Sequence, residues 1–364
     1  MPSDHHEAPI KLTWKGRFIA LVAGTVIMVM ISEGVLRIAM PNWRDFNSRR
    51  FNEATWVEGY GRFQTGVPGF DGYFAQNNGD FRTRIRINKF GLRNTEPISS
   101  AHNRIWVIGD SMAFGWGVES DSKYSSVIAK ITGEETYNIA SPGTSICGYQ
   151  GLLARMPKKL TPRVIIMGLV LENDVTTYDC QARAKRLEAS RQDNKAAAEH
   201  ITFYSLKRYL TENSAFYNFL AVALKRVAPI SNTLMALGII KDIDIYTQHL
   251  SDDQFNTAIK ETMREILVFQ AMFPKDVPFA VLLAPGRFEL RDGSVFFKKL
   301  RLTMKEHLMS KKISVIDPFK EFKAKGYEKV HFIHDGHWTP VGHEIAAQAV
   351  ARWLGKYLDI GKGK

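Results

Sequence analysis

A chain of 364 residues, 45% of them hydrophobic, can bury a large core; it exceeds one average domain but suits a single elaborated α/β domain with an N-terminal attachment. The net charge of +12 comes from basic residues spread along the chain without any nucleic-acid-binding motif, which excludes nucleic acid as the expected partner. Attraction to an anionic lipid surface or an acidic polysaccharide accounts for the balance instead.

The first predicted element is an uncharged apolar run from Phe18 to Ile31 that resumes through Val35, Leu36, Ile38, Ala39 and Met40. Phe18 to Met40 is long enough to span a bilayer with some tilt. Glu33 and Arg37 interrupt it at i, i+4 spacing, where they can pair, and Trp14 and Trp43 bracket it as interfacial anchors would. No small-x-small cleavage site is evident, so the expectation is a retained anchor at 18–40 behind a cytoplasmic tail at 1–17. Lys11, Lys15 and Arg17 before the run nearly balance Arg44, Arg49 and Arg50 after it. Because long domains translocate largely regardless of charge, the expected orientation places the C-terminal domain outside, on the periplasmic face of a bacterial inner membrane.

Residues 41–103 are rich in Gly, Asn and Arg, and Arg82–Asn88 alternates as a strand does before Phe90-Gly91-Leu92-Arg93 closes it. This predicts a small β-containing extension, whose arginines form a solvated face or steer an anionic glycan or headgroup. From 104 to 358, strand-like runs at Arg104–Ile108, Tyr137–Ala140, Val164–Leu171, Phe279–Ala284 and Ile313–Ile316 alternate with helical segments. That order predicts an α/β domain with a central parallel sheet covered on both faces. A helical insert at about 179–276 carries Phe203, Tyr204, Tyr209, Phe216, Tyr217 and Phe219 as an apolar face expected to pack as core or cap. Cys147 and Cys180 are the two cysteines; a disulfide and two buried thiols are equally open.

Four turns in this domain carry residues suited to acyl transfer. Gly109-Asp110-Ser111 follows the first strand, Ser141-Pro142-Gly143 the second and Asn173-Asp174 the third, and Asp335-Gly336-His337-Trp338 lies near the C-terminus. A serine hydroxyl is a poor nucleophile until an imidazole can take its proton, and that imidazole works best when a carboxylate fixes its tautomer. Ser111, His337 and Asp335 fit those roles, and the N–H groups of Ser111 and Gly143 with the Asn173 amide can receive the developing oxyanion. His334, Asp335, His337 and His343 also permit a metal site, but no helical HExxH spacing is present. His343 fits better as a structural residue of a helix that Thr339 caps and Pro340 opens.

This ordered set resembles the SGNH (GDSL) hydrolase superfamily, over roughly Arg104 to Leu354. The resemblance implies a three-layer α/β/α, flavodoxin-like domain that needs no cofactor or metal. It implies Ser111 as nucleophile and first oxyanion donor, Gly143 and Asn173 as the other donors, and His337 with Asp335 as base and orienting acid. One departure stands out: the superfamily usually spaces its last pair as Asp-x-x-His, whereas here it is Asp335-x-His337. The Asp-x-His-Trp form is similar to that of bacterial polysaccharide O-acetyltransferases related to this superfamily. The expected function is therefore hydrolysis or transfer of acyl esters, chiefly O-acetyl groups on envelope or exported carbohydrate. Alternatives are a lipid esterase and a non-catalytic scaffold of an envelope polysaccharide assembly.

Overall fold

The computed structural model describes residues 13–76, 79–194, 203–226, 229, 233 and 250–357. They group into two units.

One unit holds the helix Trp14–Ala39, the short 3-10 turn Trp43–Phe46, and the helices Phe203–Asn213 and Ala215–Arg226. Thr13 caps the long helix, which is long and apolar enough to cross a membrane and has no buried residue. Glu33 and Arg37 pair at 2.6 Å, as their spacing predicts, and together they grip the turn between the two later helices. The Glu33 carboxylate accepts from Ser214 Oγ at 2.8 Å and from the N–H groups of Ala215 and Phe216 at 2.9 and 2.8 Å, while Arg37 donates to the Asn213 carbonyl at 2.6 Å. The carboxylate thus adds a distant cap to the helix Ala215–Arg226, whose local cap Ser214 accepts from Tyr217 N–H at 3.0 Å, and one such cap is worth about 1 kcal/mol. The aromatic face expected to be core or cap is only partly so. Tyr209 and Phe219 are exposed, while Phe216 and Tyr217 are half-buried; the side chains of Phe203 and Tyr204 lie outside the described residues. These helices pack with the apolar N-terminal helix, which offers a narrow stripe rather than the broad face of a sheet.

The other unit begins with two antiparallel hairpins, β1 (Asn52–Val57) with β2 (Gly61–Gly66) and β3 (Asp71–Ala75) with β4 (Arg82–Arg86). Five parallel strands follow: β5 (Ile105–Ile108), β6 (Thr136–Asn138), β7 (Val164–Val170), β8 (Phe279–Ala284) and β9 (Ser314–Ile316), in the spatial order β6-β5-β7-β8-β9. Alternate residues point to opposite faces, and both faces are covered. Trp106, Ile108, Met167 and Leu283 pack with Tyr149, Ile259, Met263 and Leu300 of the helices Ile146–Ala154, Asp252–Gln270 and Val295–Ser310. On the opposite face, Ile105, Val107, Ile166 and Leu282 pack with Ile128, Ala346, Ala347 and Leu354 of the helices Tyr124–Thr132 and Pro340–Tyr357. Fully burying each such aliphatic side chain contributes roughly 1.5–3 kcal/mol. The result is a three-layer α/β/α fold with a flavodoxin-like strand order.

Strand ends differ slightly from the predicted runs. Leu171 opens a short helix, Leu171–Asp174, instead of ending β7, and Ala140 belongs to the turn after β6 although Ile139 N–H still donates to the Val107 carbonyl. At the β6 edge, Asn94 covers the strand's free backbone, exchanging hydrogen bonds with Asn138 N–H and C=O at 3.0 and 2.8 Å. Cys147 and Cys180 form a disulfide with Cα atoms 5.2 Å apart, tying the helix Ile146–Ala154 to the helix Cys180–Asn194. In the chain, β5 is followed by β6 on one side and then by β7 on the other. That reversal opens a crevice outside the carboxyl ends of β5 and β7, where ligands bind in open parallel sheets.

Candidate active site

Gly109 ends β5 with its Cα so close to β7 that an added Cβ would lie 3.1 Å from the Gly168 carbonyl and 2.7 Å from the Ala113 Cβ. Asp110 then caps the short helix Ser111–Phe114, accepting from Met112 N–H at 2.8 Å. Ser111 therefore leaves the sheet at the crevice mouth. Its Oγ lies 2.8 Å from His337 Nε2, and His337 Nδ1 is hydrogen-bonded to Asp335 Oδ1. Gln76 donates to the other Asp335 oxygen at 2.6 Å, and the Trp116 ring stacks on the imidazole with centroids 5.5 Å apart.

The two-residue spacing of Asp335 and His337 is made possible by Gly336, which has φ +79° and turns both side chains to one side. An added Cβ at Gly336 would come within 2.5 Å of Arg287 Nη1, so the turn is also pressed against that side chain. Arg287 is itself fixed to buried Glu172 by a 2.6 Å ion pair. Burial pushes the Asp335 carboxyl up, but the hydrogen bond and charge of His337 outweigh it and hold the group below its ordinary value. The carboxylate therefore stays charged beside the imidazole.

Asn173 stands at the end of β7 and donates to Asp110 Oδ2 at 3.1 Å, leaving its second N–H free to donate elsewhere. Asp174 holds that turn from inside: its Oδ2 accepts from the Tyr149 hydroxyl at 2.9 Å and from Val170 N–H at 2.8 Å. Burial raises the carboxyls of both Asp110 and Asp174. Gly143, φ +70°, lies in the loop after β6, where Ser141 N–H donates to the Gly109 carbonyl at 3.1 Å and Thr144 Oγ1 to the Ser141 carbonyl at 2.6 Å. The loops of Ser111, Gly143 and Asn173 thus converge on the ends of β5 and β7.

The remaining histidines go elsewhere. His334 is exposed and pairs with Asp80 at 2.7 Å. His343 is buried, with its Nδ1 accepting from Tyr124 N–H at 3.2 Å, and Thr339 caps the helix that carries it. Among the described residues, no group of three His, Cys, Asp or Glu side chains could hold a metal ion.

Sequence reasoning missed Gln76, Trp116, Arg287 and the part played by Asp110. Asp110 stood inside the Gly-Asp-Ser motif, so its signal was present; the other three lie in segments whose composition says nothing of a site.

No protein-family model matches the chain, and a search of the curated proteins finds no match. Among solved structures it is similar to a family two carbohydrate esterase from Clostridium thermocellum in complex with cellohexaose, at 10% identity and TM-score 0.41, over 74% of this chain and 67% of that one. It is similar to a member of the lipolytic protein G-D-S-L family from Veillonella parvula, at 10% identity and TM-score 0.37, over 68% and 96% of the two chains. A lipase from a goat rumen metagenome is similar at 14% identity and TM-score 0.35, over 70% and 97%. At such identities the chemistry has to be argued from the site's own geometry.

Proposed function

We propose that the chain is an SGNH-type serine enzyme that cleaves or transfers acyl esters. The observation that carries this is the unbroken hydrogen-bonded series Ser111 Oγ, His337 and Asp335 at the crevice mouth. Ser111 Oγ attacks the ester carbonyl carbon while its proton passes to His337 Nε2, and charged Asp335 stabilises the imidazolium at Nδ1. The oxyanion meets the N–H groups of Ser111 and Gly143 and the free N–H of Asn173, each donor worth about 2.7–4 kcal/mol of barrier. The bond to the alcohol oxygen then breaks, and His337 returns the proton to it. Water, or a sugar hydroxyl, attacks the acyl-enzyme by the same route and restores Ser111. We assign O-acetyl groups on envelope or exported carbohydrate as the substrate class, with water as acceptor making an esterase and a hydroxyl an O-acyltransferase. The helix Trp14–Ala39 serves as a membrane anchor with the catalytic unit in an oxidising, extracytoplasmic space, a placement that the Cys147–Cys180 disulfide supports.

The test uses the full-length protein in detergent micelles. Wild type should hydrolyse p-nitrophenyl acetate, accumulate an acetyl adduct visible by intact mass, and react with a serine-directed phosphonate; Ser111→Ala and His337→Ala should lose turnover, and Ser111→Ala the adduct. A folded wild type that neither turns over nor labels would favour a non-catalytic binding or scaffolding subunit.

A further inference from the structure

A cavity of about 220 Å³ lies directly beside Gly143, between β2 and the first turns of the helix Cys180–Asn194. Arg62, Gln64, Gly143, Thr144, Ser145 and Arg183 line it, with no carboxylate in the wall. Gln64 reaches Gly143 itself, its Cγ lying 3.7 Å from where a Cβ would stand. Arg183 donates through Nη2 to the Arg62 carbonyl at 2.9 Å. Its Nη1 is buried and meets no acceptor among the described residues.

Buried guanidinium groups elsewhere in this fold are treated variously: Arg155 Nη1 is likewise buried without an acceptor among the described residues, though Arg155 does not line this cavity, whereas others are matched. Arg301 is matched by Glu289 at 2.7 Å and Asp317 at 2.9 Å, and Arg93 donates to the carbonyls of Phe114, Gly115 and Val118. Arg183 has no counter-charge among the described residues, and burial together with the neighbouring Arg186 charge disfavours its cationic form. A buried donor without a partner is destabilising unless something outside the chain satisfies it. An anionic oxygen group would satisfy it and match the cavity's charge.

We propose that this cavity is a substrate subsite that recognises an anionic group, a carboxylate or a phosphate, on the carbohydrate whose ester is cleaved or loaded at Ser111. The inference rests on the acyl-ester reading for its link to turnover. With an acetyl ester the acyl side is a single methyl group, so whatever extends past Gly143 into the cavity belongs to the alcohol side. Arg183 and Arg62 thereby select acidic over neutral glycans.

Two measurements on the full-length protein in micelles separate this from the catalytic reading. Calorimetry on Ser111→Ala, which needs no turnover, compares deacetylated trigalacturonate, a glycerol phosphate oligomer and xylotriose. Binding of either acidic oligomer, weakened by salt and at least tenfold tighter than xylotriose, supports the subsite, and the preferred one identifies carboxylate or phosphate as the source. Introducing Arg183→Gln should weaken that binding at least tenfold, whereas Arg186→Gln, on the same helix, should not. In kinetics, Arg183→Gln should lower the ratio of kcat/KM for an acetylated trigalacturonate, or its phosphate counterpart, to that for p-nitrophenyl acetate by tenfold or more. Equal binding of all three oligomers, or an unchanged preference in Arg183→Gln, overturns the proposal even if p-nitrophenyl acetate is turned over. Loss of turnover with intact selective binding overturns the ester chemistry alone.

Discussion

Ser111 stands on a turn held from beneath by a buried cation: Arg93, fully buried, donates to the carbonyls of Phe114, Gly115 and Val118, and Lys123 donates back to the Arg93 carbonyl at 2.8 Å. His337 stands on a turn held mostly by its own neighbours, where Gly336 N–H donates to the Phe332 carbonyl and Phe332 N–H to the His337 carbonyl, each at 2.8 Å. The flank of that turn is open, with Ile333 and His334 exposed. Each turn also carries an aspartate whose carboxyl burial pushes up; Asp110 stays raised, while the hydrogen bond and charge of His337 bring Asp335 below its ordinary value. The difference teaches a division of labour. Under the proposed acyl-transfer chemistry Asp335 supports a developing positive charge, whereas Asp110 is a fixed acceptor that holds Asn173 and caps the serine helix.

The sharpest break in that comparison would come from Asp335→Asn, which keeps the shape but allows the wrong imidazole tautomer; kcat on p-nitrophenyl acetate should fall by about 10⁴-fold. His334→Ala, removing a histidine that pairs with Asp80 instead, should leave kcat unchanged, and a comparable loss there would refute the assignment. Asn173→Ala should come next, with kcat reduced roughly 10²–10³-fold and KM little altered, because the amide acts chiefly on the transition state. A variant whose KM rises while kcat holds would show that Asn173 binds ground state and transition state alike.

Arg93→Met tests the buried support of the serine turn. Removing the guanidinium leaves buried carbonyls without a donor, so unfolding free energy should drop by about 1–3 kcal/mol in a denaturant titration; unchanged stability would mean that the turn holds itself. The smallest effect concerns the other turn, where burial pushes His331 from 6.5 to about 3. Between those values the unfolded chain binds the extra proton, so stability is lost as pH falls from about 6.5 toward 3. His331→Phe should reduce the drop in Tm between pH 7.5 and pH 5, and an identical drop in both proteins would remove His331 from the account.

Much of the fold is legible in the sequence because its signals are local. The all-apolar runs Val164–Val170 and Phe279–Ala284 announce strands buried on both faces, and Gly109-Asp110-Ser111 announces a turn at a strand's end. The apolar helix Trp14–Ala39 and the i, i+4 pairing of Glu33 with Arg37 are legible for the same reason. What Glu33 also does, capping a helix some 180 positions away, has no local trace.

The chain's own order of residues thus determined which chemical groups the candidate site contains: a serine and amide donors at turns after strands, and an aspartate and a histidine in a turn before the last helix. Only the tertiary structure brings the Asp335 carboxylate, two residues from His337, onto the imidazole, with Gly336 in a left-handed conformation against Arg287. It also decided that Cys147 meets Cys180, and that Arg183 is left unmatched beside Gly143. Periodicity and turn chemistry act between neighbours in sequence and can be read there. Hydrogen bonds, ion pairs and cavities depend on which distant segments the packed sheet brings within a few ångströms.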